Sequence, residues 1–211
     1  MGLFDKKSSA PQAPVQQAAP PTGGVNLTKG SRVTLTKPSA GDTTIVVSNG
    51  WTAEGKDYDL KALVRYRDGR QVYVGAANRD EVLKTSEGAI RHHGDVTNPG
   101  DLEKIDITWH PDIASVALSS YSALENGQGS FREYGVYVNL EIGPQVVSLS
   151  AADASANGTQ YTLCFGEVLF EQDGHLSVVN LELYSKPGSE KRVGYRGDQV
   201  LMDHGPEGKT K

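Results

Sequence analysis

From Val25 onward, hydrophobic and polar residues alternate with a period of two in short runs, which is the pattern of β-strands. The runs are rich in β-branched or aromatic residues and are bounded by Gly, Pro, Asn or Asp: Arg32–Thr36, Thr44–Val47, Leu60–Tyr66, Gln71–Val74, Ile105–Trp109, Val116–Ser119, Gly135–Leu140, Val146–Leu149, Tyr161–Phe165 and Leu176–Tyr184. No segment has the period of a convincing amphipathic helix longer than about two or three turns. These patterns predict an all-β protein, an antiparallel β-sandwich of about ten short strands with little helix.

Two of the links between these runs contain the dipeptide Asp-Gly. They are Arg67-Asp-Gly-Arg70 and Gln172-Asp-Gly-His175, each with apolar runs on both sides. Asp-Gly is favoured in tight hairpins because both residues tolerate a positive φ. The sequence therefore predicts two β-hairpins with type I′ turns.

The composition changes near residue 23, and this break divides the chain. Residues 8–23 consist mainly of Pro, Gln and Ala and have no charge, so they cannot bury enough surface to become ordered. We predict a disordered leader over residues 1–23, one β-sandwich domain over residues 24–204 and a flexible tail over residues 205–211. Leu3 and Phe4 could form a hydrophobic hook for a partner or a membrane surface, although a frayed chain start is the simpler interpretation.

Charge and cysteine content restrict the partners and the compartment. The formal net charge is −5, which argues against nucleic acid or an anionic membrane held by general electrostatics. Cys164 is the only cysteine, so no intramolecular disulfide can form. No run is apolar enough for a signal peptide or a membrane span. A cytoplasmic location is the expectation.

Motifs for catalysis are incomplete. The stretch from Gly205 to Thr210 lacks the first glycine of a phosphate-binding loop, because Asp203 stands at that position. Cys164 alternates with apolar residues, which indicates a buried side chain rather than a nucleophile. His92 and His93 are adjacent, so on a strand they would point to opposite faces and could not bind one metal ion. The sequence predicts no enzyme, no catalytic residues and no organic cofactor.

One acidic constellation remains. Asp57 and Asp59 are two residues apart at the start of a predicted strand and would lie on one face. A glycine-punctuated loop supplies Asp95, Asp101 and Glu103. Oxygen ligands from flexible loops suit calcium, which takes about six to eight of them. A solvated acidic loop explains the same spacing without any metal.

Several short motifs follow one another along the chain. They are Gly24-Val-Asn-Leu-Thr-Lys-Gly30, then Gly50-Trp51, then Asp57-Tyr-Asp-Leu60. Two acidic stretches come later, His93-Gly-Asp95 and Gly100-Asp-Leu-Glu-Lys-Ile-Asp106. In this order the motifs resemble the TerD-type domain of tellurite-resistance and stress-response proteins. The resemblance is good over about residues 24–150 and looser after that.

The resemblance implies a calcium-binding β-sandwich without known enzymatic activity. It implies Asp57, Asp59, Asp95, Asp101 and Glu103 as the metal ligands and protein partners in a stress-response complex near the inner face of the membrane. The function expected is a non-enzymatic, calcium-linked stress-response protein. The alternative is a structural interaction or scaffold module with a degraded calcium site, docked to an assembly through the leader.

Two departures from the family pattern affect this site. Lys61 stands where the family usually has a third Asp, and Val96 stands where it usually has Asn. Lys61 shares the strand parity of Asp59, so its ammonium is predicted to point into the same pocket. Calcium binding is therefore predicted to be weak.

Overall fold

A computed structural model describes residues 24–35, 44–96, 102–123, 126, 131–152 and 159–207. The predicted leader over residues 1–23 lies outside the described residues. So do Asp101 and the last four residues of the predicted tail.

Fourteen strands lie in these described ranges. They are β1 (Val25–Asn26), β2 (Arg32–Leu35), β3 (Thr44–Gly50), β4 (Tyr58–Tyr66), β5 (Gln71–Val74), β6 (Ile90–His92), β7 (Glu103–Thr108), β8 (Ile113–Ser122), β9 (Tyr137–Ile142), β10 (Gln145–Ser150), β11 (Thr162–Phe170), β12 (Leu176–Tyr184), β13 (Gly194–Arg196) and β14 (Gln199–Leu201). Each of the ten predicted runs coincides with a strand, and the all-β prediction is confirmed. Over the same ranges, no helix has the length and apolar content needed to span a membrane.

The strands form two six-stranded sheets and a separate hairpin. The first sheet has the order β1-β10-β9-β3-β7-β6, and the second has the order β2-β12-β11-β8-β4-β5. Neighbouring strands are antiparallel except that β1 pairs with β10 in parallel. The two sheets pack face to face, as the predicted β-sandwich requires.

The main core lies between the two sheets. Alternate residues of β4, including Leu60, Ala62 and Val64, face Ile105 and Ile107 of β7 and similar apolar residues of the first sheet. These side chains are essentially inaccessible to solvent. Burying each Leu or Ile stabilises the fold by about 1.5–3 kcal/mol.

A second apolar cluster lies on the outer face of the second sheet. Leu63 and Ala117 line it, together with Cys164, and they are covered by Val193 and by Tyr195 and Val200 of the β13–β14 hairpin that follows it. Cys164 is fully buried, as predicted from its apolar neighbours. Burial raises the pKa of its thiol well above the ordinary value. The second sheet is thus covered on both faces over part of its area.

Both Asp-Gly links form hairpins, but the type I′ prediction is wrong. Gly69 and Gly174 have φ values of 89° and 85°, whereas neither preceding Asp has a positive φ. The side chain of Asp68 accepts a hydrogen bond from the amide of Arg70, and the side chain of Asp173 accepts one from the amide of His175. These side-chain bonds stabilise an Asx turn, so only the glycine takes the left-handed conformation.

Candidate metal centre

Three carboxylates come together at one end of the sandwich. Asp57 immediately precedes β4, Asp59 is its second residue, and Asp95 follows β6. Their carboxylate oxygens lie within 4.8 Å of one another. Asp59 is buried, Asp57 is half-buried and Asp95 is exposed. The group is therefore partly screened from water but open on the side of Asp95.

Asp57 is held through its main chain. Its amide donates to Oδ1 of Asn126 at 3.0 Å, and its carbonyl accepts from the side chain of Asn126 and from the amide of Ala123. A single amide side chain thus bridges both main-chain polar groups of Asp57. Nothing in the local sequence around Asn126 indicates this role, because the contact spans 69 residues.

Asp59 is fixed because the start of β4 is bonded on both edges. One edge pairs with β8, with Asp59 opposite Tyr121. On the other edge β5 pairs only from Ala62 onward, and side chains take the place of the missing strand. Asn49 donates to the carbonyl of Tyr58 at 3.0 Å, and His92 contacts the carbonyl of Leu60 at 3.2 Å.

The His92 ring also positions the turn that leads to Asp95. Its Nδ1 accepts the amide of Gly94 at 3.0 Å, so the ring proton is on Nε2, which donates to the carbonyl of Leu60. Gly94 has a φ of 113°, which a side chain would disfavour. His93 points the other way and pairs with Asp106 at 2.9 Å. The two histidines lie on opposite faces, as predicted from their adjacency.

Glu103 does not belong to the acidic group. Its carboxylate accepts the amide of Leu60 through Oε2 and the amide of Val96 at 3.3 Å through Oε1. The side chain is buried, and Oε2 lies 3.8 Å from Nε2 of His92. Of the five predicted ligands, the structure brings three together, gives Glu103 a main-chain role, and does not describe Asp101.

Lys61 has an ion-pair partner outside the acidic group, which its place in the sequence does not indicate. Its strand parity is as predicted, but its ammonium lies 2.7 Å from Oε1 of Glu81 and sits above the ring of Tyr121. Both partners in the ion pair are buried. Burial alone would raise the pKa of Glu81, yet Lys61 and the hydrogen bonds from Asn78 lower that pKa below its ordinary value.

The donor set fits a hard cation. The three gathered side chains offer only carboxylate oxygens, which hard cations such as Ca²⁺ or Mg²⁺ prefer. The ring nitrogens of His92 are both engaged with main-chain groups, so His92 does not supply the nitrogen ligand that zinc would favour. Two like charges about 5 Å apart repel by about 3 kcal/mol at an effective dielectric constant of about 20. A bound cation would relieve that repulsion.

Comparisons with known proteins bear on the fold. No protein-family model matches the chain, and neither does any curated protein. A crystal structure of an unknown-function protein, SAV2460, superposes with a TM-score of 0.51 at 14% identity and covers 65% of this chain and 86% of its own. A homologue of the telluride resistance protein (TerD), SCO6318 from Streptomyces coelicolor A3(2), superposes with a TM-score of 0.50 at 16% identity. The match covers 68% of this chain and 93% of the homologue. The described part of this chain has the TerD-type fold, which its motifs had predicted.

Proposed function

We propose that this chain is a non-enzymatic, calcium-linked binding protein of the tellurite-resistance type that acts in a stress response through protein partners. The observation that carries the proposal is the convergence of Asp57, Asp59 and Asp95 to within 4.8 Å. The TerD-type fold supports it, because a solved neighbour is a homologue of a telluride resistance protein.

Weak affinity is part of the proposal. The gathered carboxylates are few, and one of them is exposed, so water must complete the shell of an ion that takes six to eight oxygens. Open sites of this kind bind calcium with Kd values on the order of 10⁻⁴–10⁻³ M. The protein would then respond to large changes in calcium rather than buffer it.

The absence of an enzymatic role is also proposed. The thiol of Cys164 is buried and its pKa is raised, which disfavours a nucleophilic thiolate. His92 has both ring nitrogens in main-chain hydrogen bonds, so it is poorly placed to move a proton for a substrate. These features favour the binding of partners over catalysis.

Calorimetric titration with calcium tests the metal site, with thermal unfolding as a second measurement. Asp59→Asn should weaken binding by at least about tenfold, equivalent to about 1.4 kcal/mol. The matched control is Asp112→Asn, which removes an exposed carboxylate outside the acidic group and should leave the affinity unchanged. Calcium at about ten times Kd should stabilise the parent by about 1.4 kcal/mol.

Absence of heat and of any thermal shift in the parent would reject the calcium site. The three carboxylates would then be a solvated rim, and the scaffold alternative would be the better interpretation. Affinity purification from stressed cells, with calcium and with a chelator, then identifies the partners. Partners that are retained equally in both conditions would contradict a calcium-linked role.

A further inference from the structure

The C-terminal segment, residues 186–207, lies across the outer face of the second sheet. It contains the β13–β14 hairpin, which is not part of either large sheet. Its Val193 carbonyl accepts the hydroxyl of Tyr73 at 2.8 Å, and its apolar side chains cover Cys164. The segment is thus a cover held by side-chain contacts and by a main-chain bond from Gly188 to Thr159, without a strand ladder to either large sheet.

An ion cluster, buried except at Asp80, ties this cover to Lys61 of the second sheet. Arg192 of the cover contacts Asp80 and lies 3.0 Å from Glu81, which also binds Lys61. The Arg192 guanidinium stacks on the ring of Tyr73, with 4.2 Å between its central carbon and the ring centroid. Lys61 lies two residues from Asp59 on the same face of β4, so its ammonium is attracted both to Glu81 and toward the acidic group.

A second connection runs through Tyr121. This residue is opposite Asp59 across the β4–β8 pair, and its hydroxyl donates to Glu190 of the cover at 3.4 Å. Burial is the main cause that raises the pKa of Tyr121, and the negative charges of Glu190 and Asp59 add to it. Glu190 and Asp59 of the acidic group are therefore both close to Tyr121, and both carry negative charge.

We propose that cation binding at Asp57, Asp59 and Asp95 and docking of the C-terminal segment strengthen each other. The inference rests on the proposed metal site. A divalent cation lowers the negative charge of the three carboxylates by two units and so weakens their repulsion of Glu190.

Coupling of this kind is reciprocal. If the cation stabilises the docked segment by a given factor, docking must raise the cation affinity by the same factor. The cover would then open more often at low cation concentration and uncover the apolar patch around Leu63, Ala117 and Cys164.

The cysteine beneath the cover is a natural probe. Cys164 is the only cysteine in the chain, so its rate of alkylation by iodoacetamide in the native full-length protein reports opening. Saturating calcium should slow this rate by about fivefold or more, the usual lower range for coupled sites. An unchanged rate in protein that binds calcium by calorimetry would overturn the coupling and leave the metal site standing.

Global unfolding needs a separate reporter. The double variant Cys164→Ala/Val47→Cys places the sole cysteine in β3, in the core between the sheets. Without calcium, Cys164 of the parent should be alkylated faster than this reporter, since only the cover must open. Equal rates would mean that the cover does not open on its own, and the proposal would be wrong.

Charge variants decide the mechanism. Glu190→Gln should slow the alkylation of Cys164 without calcium, because repulsion from the acidic group is removed, and should reduce the calcium effect to less than about twofold. Asp198→Asn is the matched control: it removes a charge of the same cover that pairs with Arg65 instead, and the calcium effect should persist. Faster alkylation of Glu190→Gln with an undiminished calcium effect would contradict the charge mechanism. If calorimetry shows no calcium binding at all, both proposals fall.

Discussion

Glu103 has both carboxylate oxygens bonded to main-chain amides. Its carboxylate accepts the amide hydrogen bond of Leu60 that a neighbouring strand would otherwise accept. This matters because a buried amide without an acceptor is destabilising. This differs from the role of Asp59, whose carboxylate lies with those of Asp57 and Asp95. Two acidic residues at the same end of the fold therefore have different consequences when they are replaced.

Replacing Glu103 tests this distinction. Glu103→Ala should lower the free energy of unfolding by about 2–3 kcal/mol, because the amides of Leu60 and Val96 lose their acceptor. Urea unfolding measures the loss, with Glu141→Ala on an exposed position of β9 as the control. A variant that unfolds like the parent but binds calcium less tightly would show that Glu103 is a ligand after all.

Lys61 is a second residue with a structural role. Lys61→Met leaves Glu81 with Arg192 as its remaining ionic partner, and losing one member of a buried ion pair costs about 3 kcal/mol or more. The double variant Lys61→Met/Glu81→Gln should recover part of that loss in urea unfolding. Strictly additive losses would mean that the 2.7 Å contact contributes little.

Among the strands, β11 has an irregularity at Gly166. The register shifts between Cys164 and Gly166 against both neighbouring strands. A Cβ atom on Gly166 would lie 2.4 Å from the carbonyl oxygen of Val179 and 3.0 Å from a methyl group of Leu149. The bulge is thus a place where two strands approach too closely for any side chain.

Gly166→Ala should destabilise the protein by about 1–3 kcal/mol through overpacking. Gly174→Ala is the informative comparison, because that turn glycine has open space around it and only its positive φ opposes a side chain. Its loss should be nearer about 1 kcal/mol. Thermal unfolding of both variants distinguishes the two causes, and a smaller loss for Gly166→Ala would contradict the close approach.

The strands were predictable where alternation extends over four or more residues. β1, β6, β13 and β14 have only two or three residues each, too few to show a period. The turn type was missed because Asp68 bonds its side chain to the main chain of Arg70. At the site, parity placed Asp59 and Lys61 on one face, but Glu81 reaches Lys61, and Arg192 reaches Glu81, only through the tertiary fold. Sequence spacing could not reveal those partners.

For the whole molecule, Glu167 links the second sheet to its cover. It accepts the hydroxyl of Tyr195 at 3.0 Å, and Arg65 and Asp198 are its charged neighbours. Burial raises the pKa of Glu167, while the hydrogen bonds from Ser115 and Tyr195 and the charge of Arg65 only partly oppose it. A raised pKa means that this group's stabilising contribution is present below the pKa of the unfolded chain, about 4.3. It is lost as the pH rises through the folded pKa.

Glu167→Gln should therefore be more stable than the parent at pH 8, and the difference should shrink as the pH falls to 4. Each unit of pKa shift corresponds to about 1.4 kcal/mol. Glutamine keeps an oxygen that can accept the hydroxyl of Tyr195. Urea midpoints at both pH values measure the effect, and a variant that is less stable than the parent at pH 8 would contradict it.

The pairing of the first strands with late ones has a consequence during synthesis. Val25 of β1 pairs with Val147 of β10, and Arg32 of β2 pairs with Val179 of β12. Ribosomes add about 5–20 residues per second, so both early strands wait on the order of ten seconds for their partners. When β10 and β12 emerge, a strand is already waiting at each exposed edge. We expect this order of emergence to protect the sheet edges of the nascent chain from pairing with other nascent chains on the same messenger RNA.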